Sequence, residues 1–70
     1  MDIGALVGRN IVKIRNERNV SQEELAFRAN IDRSYLSQIE TGKRNPSLRL
    51  LAKIADSLGV KVARFLTEDQ

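Results

Sequence analysis

Apolar residues recur at helical spacing in five stretches of this chain, and short polar breaks separate them. Ile3, Leu6, Val7, Ile11 and Ile14 repeat at intervals that line one face of an α-helix. Asp2 can cap that helix, which is predicted to run to about Arg18. Ser21, with Glu24 three residues on, has the form of a capping box ahead of Leu25, Ala26 and Ala29. Asn30 suits a left-handed turn and Ile31 can plug the core. Asp32 can then cap a third helix from Arg33 to about Thr41, ended by Gly42. In a fourth helix, capped by Ser47 and stopped by Gly59, Leu48, Leu51, Ala55 and Leu58 are predicted to face inward, flanked by Ile54. Val60, Val62, Phe65 and Leu66 make a last short helix at about 61–67, although Lys61 stands where a capping side chain belongs. The expected fold is all-α.

The breaks carry their own signals. Gly4 and Gly8 lower the propensity of the first helix. They permit close approach of another helix, but fraying of the first turn is the reading the sequence favours. Asn19-Val20 is a short turn in which Asn19 can take a positive φ. After Gly42 the segment KRNP is a polar loop, and the tail TEDQ is expected to fray.

On a wheel of about 100° per residue, the third helix separates into two faces. Leu36 and Ile39 form the apolar side, with Tyr35 on its border. Arg33, Ser34, Ser37, Gln38 and Thr41 share an arc of roughly 140° that holds no acid. Glu40 falls on the other side, close to Leu36. A solvated face would mix Glu with Lys. This one offers Arg, Gln and hydroxyls, the groups that suit base edges and phosphates.

Charge strengthens that picture. Twelve basic against nine acidic residues give +3, but residues 28–53 alone hold six basic side chains against Asp32 and Glu40. Binding to a polyanion follows. The sequence has no Cys and no His, which removes disulfides and the commonest metal ligands. No apolar run approaches the ~20 residues of a membrane span, and the N-terminus lacks a signal peptide's features. A cytoplasmic protein without membrane contact is the expectation. A chain of 70 residues buries only about 60% of its unfolded surface, so association is one remaining source of stability.

Catalysis finds no foothold. Ser34 and Ser37 have no base beside them, Gly-rich phosphate loops are missing, and Glu23 with Glu24 reads as acid at a helix start. No cofactor or metal is expected. Binding chemistry is better provided. Arg33 can bond guanine O6 and N7 together, Gln38 can address adenine or a phosphate, and Ser34 and Ser37 suit base edges or backbone. Gln22, after the second helix's cap, can grip a phosphate. Tyr35 is divided evenly between packing and a phosphate contact.

A family resemblance rests on these residues. Ile11, Ile14 and Arg15, SQEELA at 21–26, the turn at 29–31, IETG at 39–42, Pro46 and LAKIADSLGV at 51–60 resemble the helix-turn-helix family of lambdoid phage repressors, Cro proteins and Xre-like regulators. The run IDRSYLSQIE is similar to small controller proteins of restriction–modification systems. The resemblance implies one compact five-helix domain over residues 1–70, with the helix-turn-helix at about 21–42. It further implies a transcription regulator that reads a near-palindromic operator in double-stranded DNA. Base readers fall at Arg33, Ser34, Ser37 and Gln38. Thr41, Lys43, Arg44 and Asn45 lie in the loop that the family runs along the DNA backbone. Arg15 and Glu40 match an internal ion pair of the family, and Asn19 departs from its usual Gly.

A single reading helix covers only a few base pairs, so a homodimer on two half-sites is expected. Val62 and Phe65 are the candidates for a shared patch, against the reading that they pack inward. Val60 and Leu66 are expected to close the core. No small-molecule effector is evident. The alternative is a protein-interaction module, antitoxin-like or scaffold-like, whose reading helix would carry apolar anchors instead.

Overall fold

The computed structural model describes residues 2–68. Four α-helices, α1 (Ile3–Glu17), α2 (Gln22–Ala29), α3 (Arg33–Glu40) and α4 (Leu48–Leu58), precede a 3-10 helix, Val62–Leu66. Every α-helix starts on a side-chain cap. Asp2, Ser21, Asp32 and Ser47 accept from the backbone N–H groups of Ala5, Glu24, Ser34 and Leu50. Asn19 and Asn30 take the left-handed conformation, with φ of 57° and 58°. Glu24 turns its carboxylate to Arg28, one helical turn on, at 2.9 Å.

The core gathers one face of each helix. Ile11, Leu25, Leu36, Ile39, Ile54 and Phe65 are fully buried within it. The α1 helix lies between α3 and the 3-10 helix, while α2 packs on both α3 and α4. Burying side chains of this size contributes about 1.5–3 kcal/mol each relative to exposure.

Five expectations need correction. The fifth element is a 3-10 helix, not an α-helix. No side chain caps it, and the Arg64 N–H bonds the Lys61 carbonyl three residues back, at 2.9 Å. Buried Asn10 of α1 also holds it, donating through Nδ2 to the carbonyls of Phe65 at 2.8 Å and Thr67 at 2.9 Å. Those two long-range bonds set the segment's path in place of a cap.

Phe65 is fully buried, so it is not a candidate for a surface shared between two copies. Val62 is half-buried against the core. Leu66, expected inside, is 46% exposed, and Leu48 is 76% exposed. A 3-10 turn advances about 120° per residue, so Phe65 and its neighbour Leu66 cannot both face inward. Leu48 lies on the wheel about 70° from the mean direction of Leu51, Ile54, Ala55 and Leu58.

Gly4 and Gly8 do not mark a frayed turn. Both are buried, and a Cβ at Gly8 would lie 2.5 Å from the carbonyl oxygens of both Ile39 and Glu40. The end of α3 crosses α1 at Gly8 because only glycine leaves room for its backbone. Asp69 and Gln70 of the tail lie outside the described residues.

Candidate nucleic-acid interface

The site is built on α3, whose inner face is anchored by Leu36 and Ile39. That anchoring turns Arg33, Ser34 and Gln38 outward, with Ser37 half-buried between them. Gln22, Arg33, Ser34, Ser37 and Gln38 line one shallow depression, and Ser34, Tyr35, Gln38 and Arg44 line a second beside it. All four residues expected to read bases are thus brought together, with Gln22 beside them.

Glu40 faces the other way. Arg15 donates to it twice, from Nε at 2.9 Å and from Nη2 at 3.3 Å, and the Glu40 side chain is only 5% exposed. Arg15 Nη1 also donates to the Val20 carbonyl at 3.1 Å, which ties the pair to the turn before α2. The one acid of α3 is therefore withdrawn from the outer face and matched by a cation. Removing either partner would leave the other charge buried and unpaired.

The outer side chains are also held by neighbours. Gln22 donates from Nε2 to Glu40 at 2.8 Å, and its Oε1 accepts from Arg33 Nε at 3.2 Å. Ser34 donates its hydroxyl to Asp32, whose carboxylate also accepts the Ser34 backbone N–H at 2.9 Å. The Ser34 hydroxyl, then its backbone N–H, holds the Asp32 carboxyl below its ordinary 3.8. Arg44 Nε donates to Gln38 Oε1 at 2.8 Å, and its guanidinium stacks over the Tyr35 ring, 5.2 Å from the centroid. The Tyr35 ring is half-buried against the core, so packing accounts for its placement.

The loop after α3 is led out by Gly42, at φ 81°. Lys43 N–H closes back on the Gln38 carbonyl at 2.9 Å, and Thr41 returns its hydroxyl to Ser37 at 3.0 Å. Lys43, Arg44 and Asn45 are exposed beside the α3 surface. Asn45 packs its side chain at Gly4, joining this loop to the start of α1.

Among the described residues no group of His, Cys, Asp and Glu could hold a metal, and no helix is long and apolar enough to cross a membrane. Two features escaped the sequence reading. Asn10 sits inside the apolar arc of α1, a placement that signals a bonded buried amide. Ile3, Leu48 and Leu66 border one apolar depression with Val7 and Leu51 in it.

The family model for helix-turn-helix matches residues 11–65. The chain belongs to the helix-turn-helix family. Over 67 residues it is 39% identical to an uncharacterised HTH-type transcriptional regulator, y4dJ, of Sinorhizobium fredii, covering 96% of this chain and 87% of that one. The crystal structure of the restriction–modification controller protein C.AhdI from Aeromonas hydrophila superposes with a TM-score of 0.85 at 34% identity, covering 89% of this chain and 94% of its own. The controller protein C.Esp1396I, solved as a tetramer with its natural 35 base-pair operator, gives 0.83 at 37% identity, with 93% and 86% covered. This helix-turn-helix chain thus matches such controllers along nearly their whole length.

Proposed function

We propose that this chain is a transcription regulator of the controller type, acting in the cytoplasm as a homodimer on a near-palindromic double-stranded DNA operator. The observation that carries the reading is the outer face of α3. It presents Arg33, Ser34 and Gln38 while its only acid, Glu40, is turned inward onto Arg15. That face suits the major groove, where arginine and amide side chains match base edges. A protein-binding helix would instead carry apolar anchors there. The exposed large apolar residues Ile3, Phe27, Leu48 and Leu66 all lie on other elements.

Roles divide by geometry. Arg33 is the guanine reader, and Gln38, its Oε1 engaged by Arg44, offers its amide N–H groups. Ser34 and Ser37 contribute shorter contacts at base edges. Thr41, Lys43, Arg44 and Asn45 follow the DNA backbone, with Gln22 and Tyr35 at the margin of that contact. Pairing of two copies is assigned to the patch of Ile3, Leu48 and Leu66, in place of Phe65. A two-fold dimer would set two α3 helices on half-sites about 34 Å apart.

Selection of bound sequences from a random duplex pool tests this reading. A near-palindromic site should emerge, and binding should weaken with salt at about 0.9 per phosphate contact. Arg33→Ala should relax one guanine per half-site by about 1–3 kcal/mol, whereas Lys43→Ala should weaken all duplexes alike. Leu48→Glu should yield a folded monomer in sedimentation. No enriched sequence and no salt dependence would exclude DNA reading.

A further inference from the structure

Several arginines are engaged within the fold. Arg15 and Arg28 hold the Glu40 and Glu24 carboxylates, and Arg33 and Arg44 each donate to a glutamine side chain. Arg18, Lys61 and Arg64 differ. None of the three has an ion pair or a side-chain hydrogen bond among the described residues, yet they line one depression together. Arg18 closes α1, Lys61 precedes the 3-10 helix, and Arg64 lies within it. Glu17, Asp56 and Glu68, the acids nearest in sequence, do not line the depression. Its volume is about 380 Å³, within the ~300–1,000 Å³ of small-molecule sites. It shares no residue with either depression on α3.

We propose that this cleft binds the diphosphate group of a small molecule. Three like charges gathered without an acid repel one another in the folded chain, and a bound polyanion offsets that repulsion. Two guanidinium forks suit phosphate oxygens, and the Lys61 ammonium adds a point charge. Arg18 Nη1 lies 3.7 Å from the position a Cβ would take on Gly59, so the guanidinium stands over the backbone there. A single phosphate group carries a charge of only about −1.5 to −2, short of three cations, whereas a diphosphate matches them. No aromatic residue lines the cleft, so recognition falls on the phosphates and not on a stacked base. The bound group would join the end of α1 to the 3-10 helix, whose start no side chain caps. The site is independent of the DNA-reading face.

The test titrates the full chain with pyrophosphate, ADP and orthophosphate, each against sodium chloride of equal ionic strength. A ligand that binds only the folded chain raises its Tm. Pyrophosphate and ADP should do so alike and saturably, with orthophosphate binding about tenfold more weakly, the effect of one charge-assisted contact fewer. Amide shifts in nitrogen-15 NMR should centre on Arg18, Gly59, Lys61 and Arg64. Arg18→Gln and Arg64→Gln should each weaken pyrophosphate about tenfold. Lys53→Gln, which removes the same charge from an exposed position on α4, should leave its affinity unchanged. Circular dichroism checks folding, and the NMR map of the wild type stands if a variant unfolds.

Equal stabilisation by chloride, or an equal loss in Lys53→Gln, would reduce the effect to general screening and overturn the proposal. Binding of ADP without pyrophosphate would overturn it too, since the nucleoside would then carry recognition. Shifts centred on Arg33, Gln38 and Lys43 would place the anion on the α3 face instead. Duplex DNA supplies the last check. If Arg18→Gln lowered random-duplex affinity and flattened its salt dependence, the cluster would be a DNA backbone contact and not a small-molecule site.

Discussion

The α2–α3 unit and the C-terminal segment are built by opposite means. From Ser21 to Gly42 each turn is specified by a residue close in sequence. Ser21 and Asp32 cap, Asn30 turns left-handed at φ 58°, and Gly42 leads the chain away at φ 81°. From Val60 to Thr67 no side chain caps the helix, and the carbonyls of Phe65 and Thr67 are held by Asn10 across the domain. A surface that must meet DNA with fixed geometry is thus locally determined. The segment that closes the core takes its shape from tertiary contact.

Phe65 offers the sharpest way to test that contrast. Phe65→Ala should cost about 3–5 kcal/mol, as for a large aromatic emptied from a core, whereas Leu66→Ala should stay within about 1 kcal/mol. Urea denaturation of both variants measures the difference. Equal losses would mean that the two neighbours share the burial, contrary to the 0% and 46% exposure found here.

The same contrast explains which parts were legible in the sequence. Caps, turns and the apolar arc of α3 could be read because each depends on neighbours within four residues. The inward turn of Glu40 was legible from its wheel position beside Leu36. Leu48 and Leu66 were misplaced because an apolar residue at a helix end looks identical to one at the centre. Gly8 was misread because helix propensity is local, while the Ile39 and Glu40 carbonyls that require it come from α3. Asn10 was overlooked for a similar reason: its partners lie 55 and 57 residues away.

The Arg15–Glu40 pair joins the two regimes, since a local unit is fastened to α1 through it. Glu40→Ala should cost about 3 kcal/mol by stranding Arg15, whose side chain is 13% exposed. Arg15→Met in the same chain should recover part of that loss, because no buried charge then remains unpaired. Thermal melts of the two single variants and the double variant form the cycle. Strictly additive losses would show that the residues stand together without acting on each other.

The smallest expected effect belongs to the cap of α3. Asp32 is fully exposed, and its carboxyl is lowered first by the Ser34 hydroxyl and then by the Ser34 backbone N–H. Because the folded value lies below the ordinary 3.8, the contribution is complete above that value and is lost as pH falls through the folded one. Acid should therefore loosen the first turn of α3, whereas α4, capped by the Ser47 hydroxyl, has no carboxylate cap to lose. Hydrogen exchange at the Ser34 and Tyr35 amides should quicken, relative to the intrinsic rate, as pH falls below the ordinary carboxyl value of 3.8. Asp32→Asn supplies the control, since asparagine also caps helices but does not titrate. The wild type should lose protection relative to this variant only on the acid side. If both lost protection in parallel, the acid sensitivity of α3 would arise from other carboxylates.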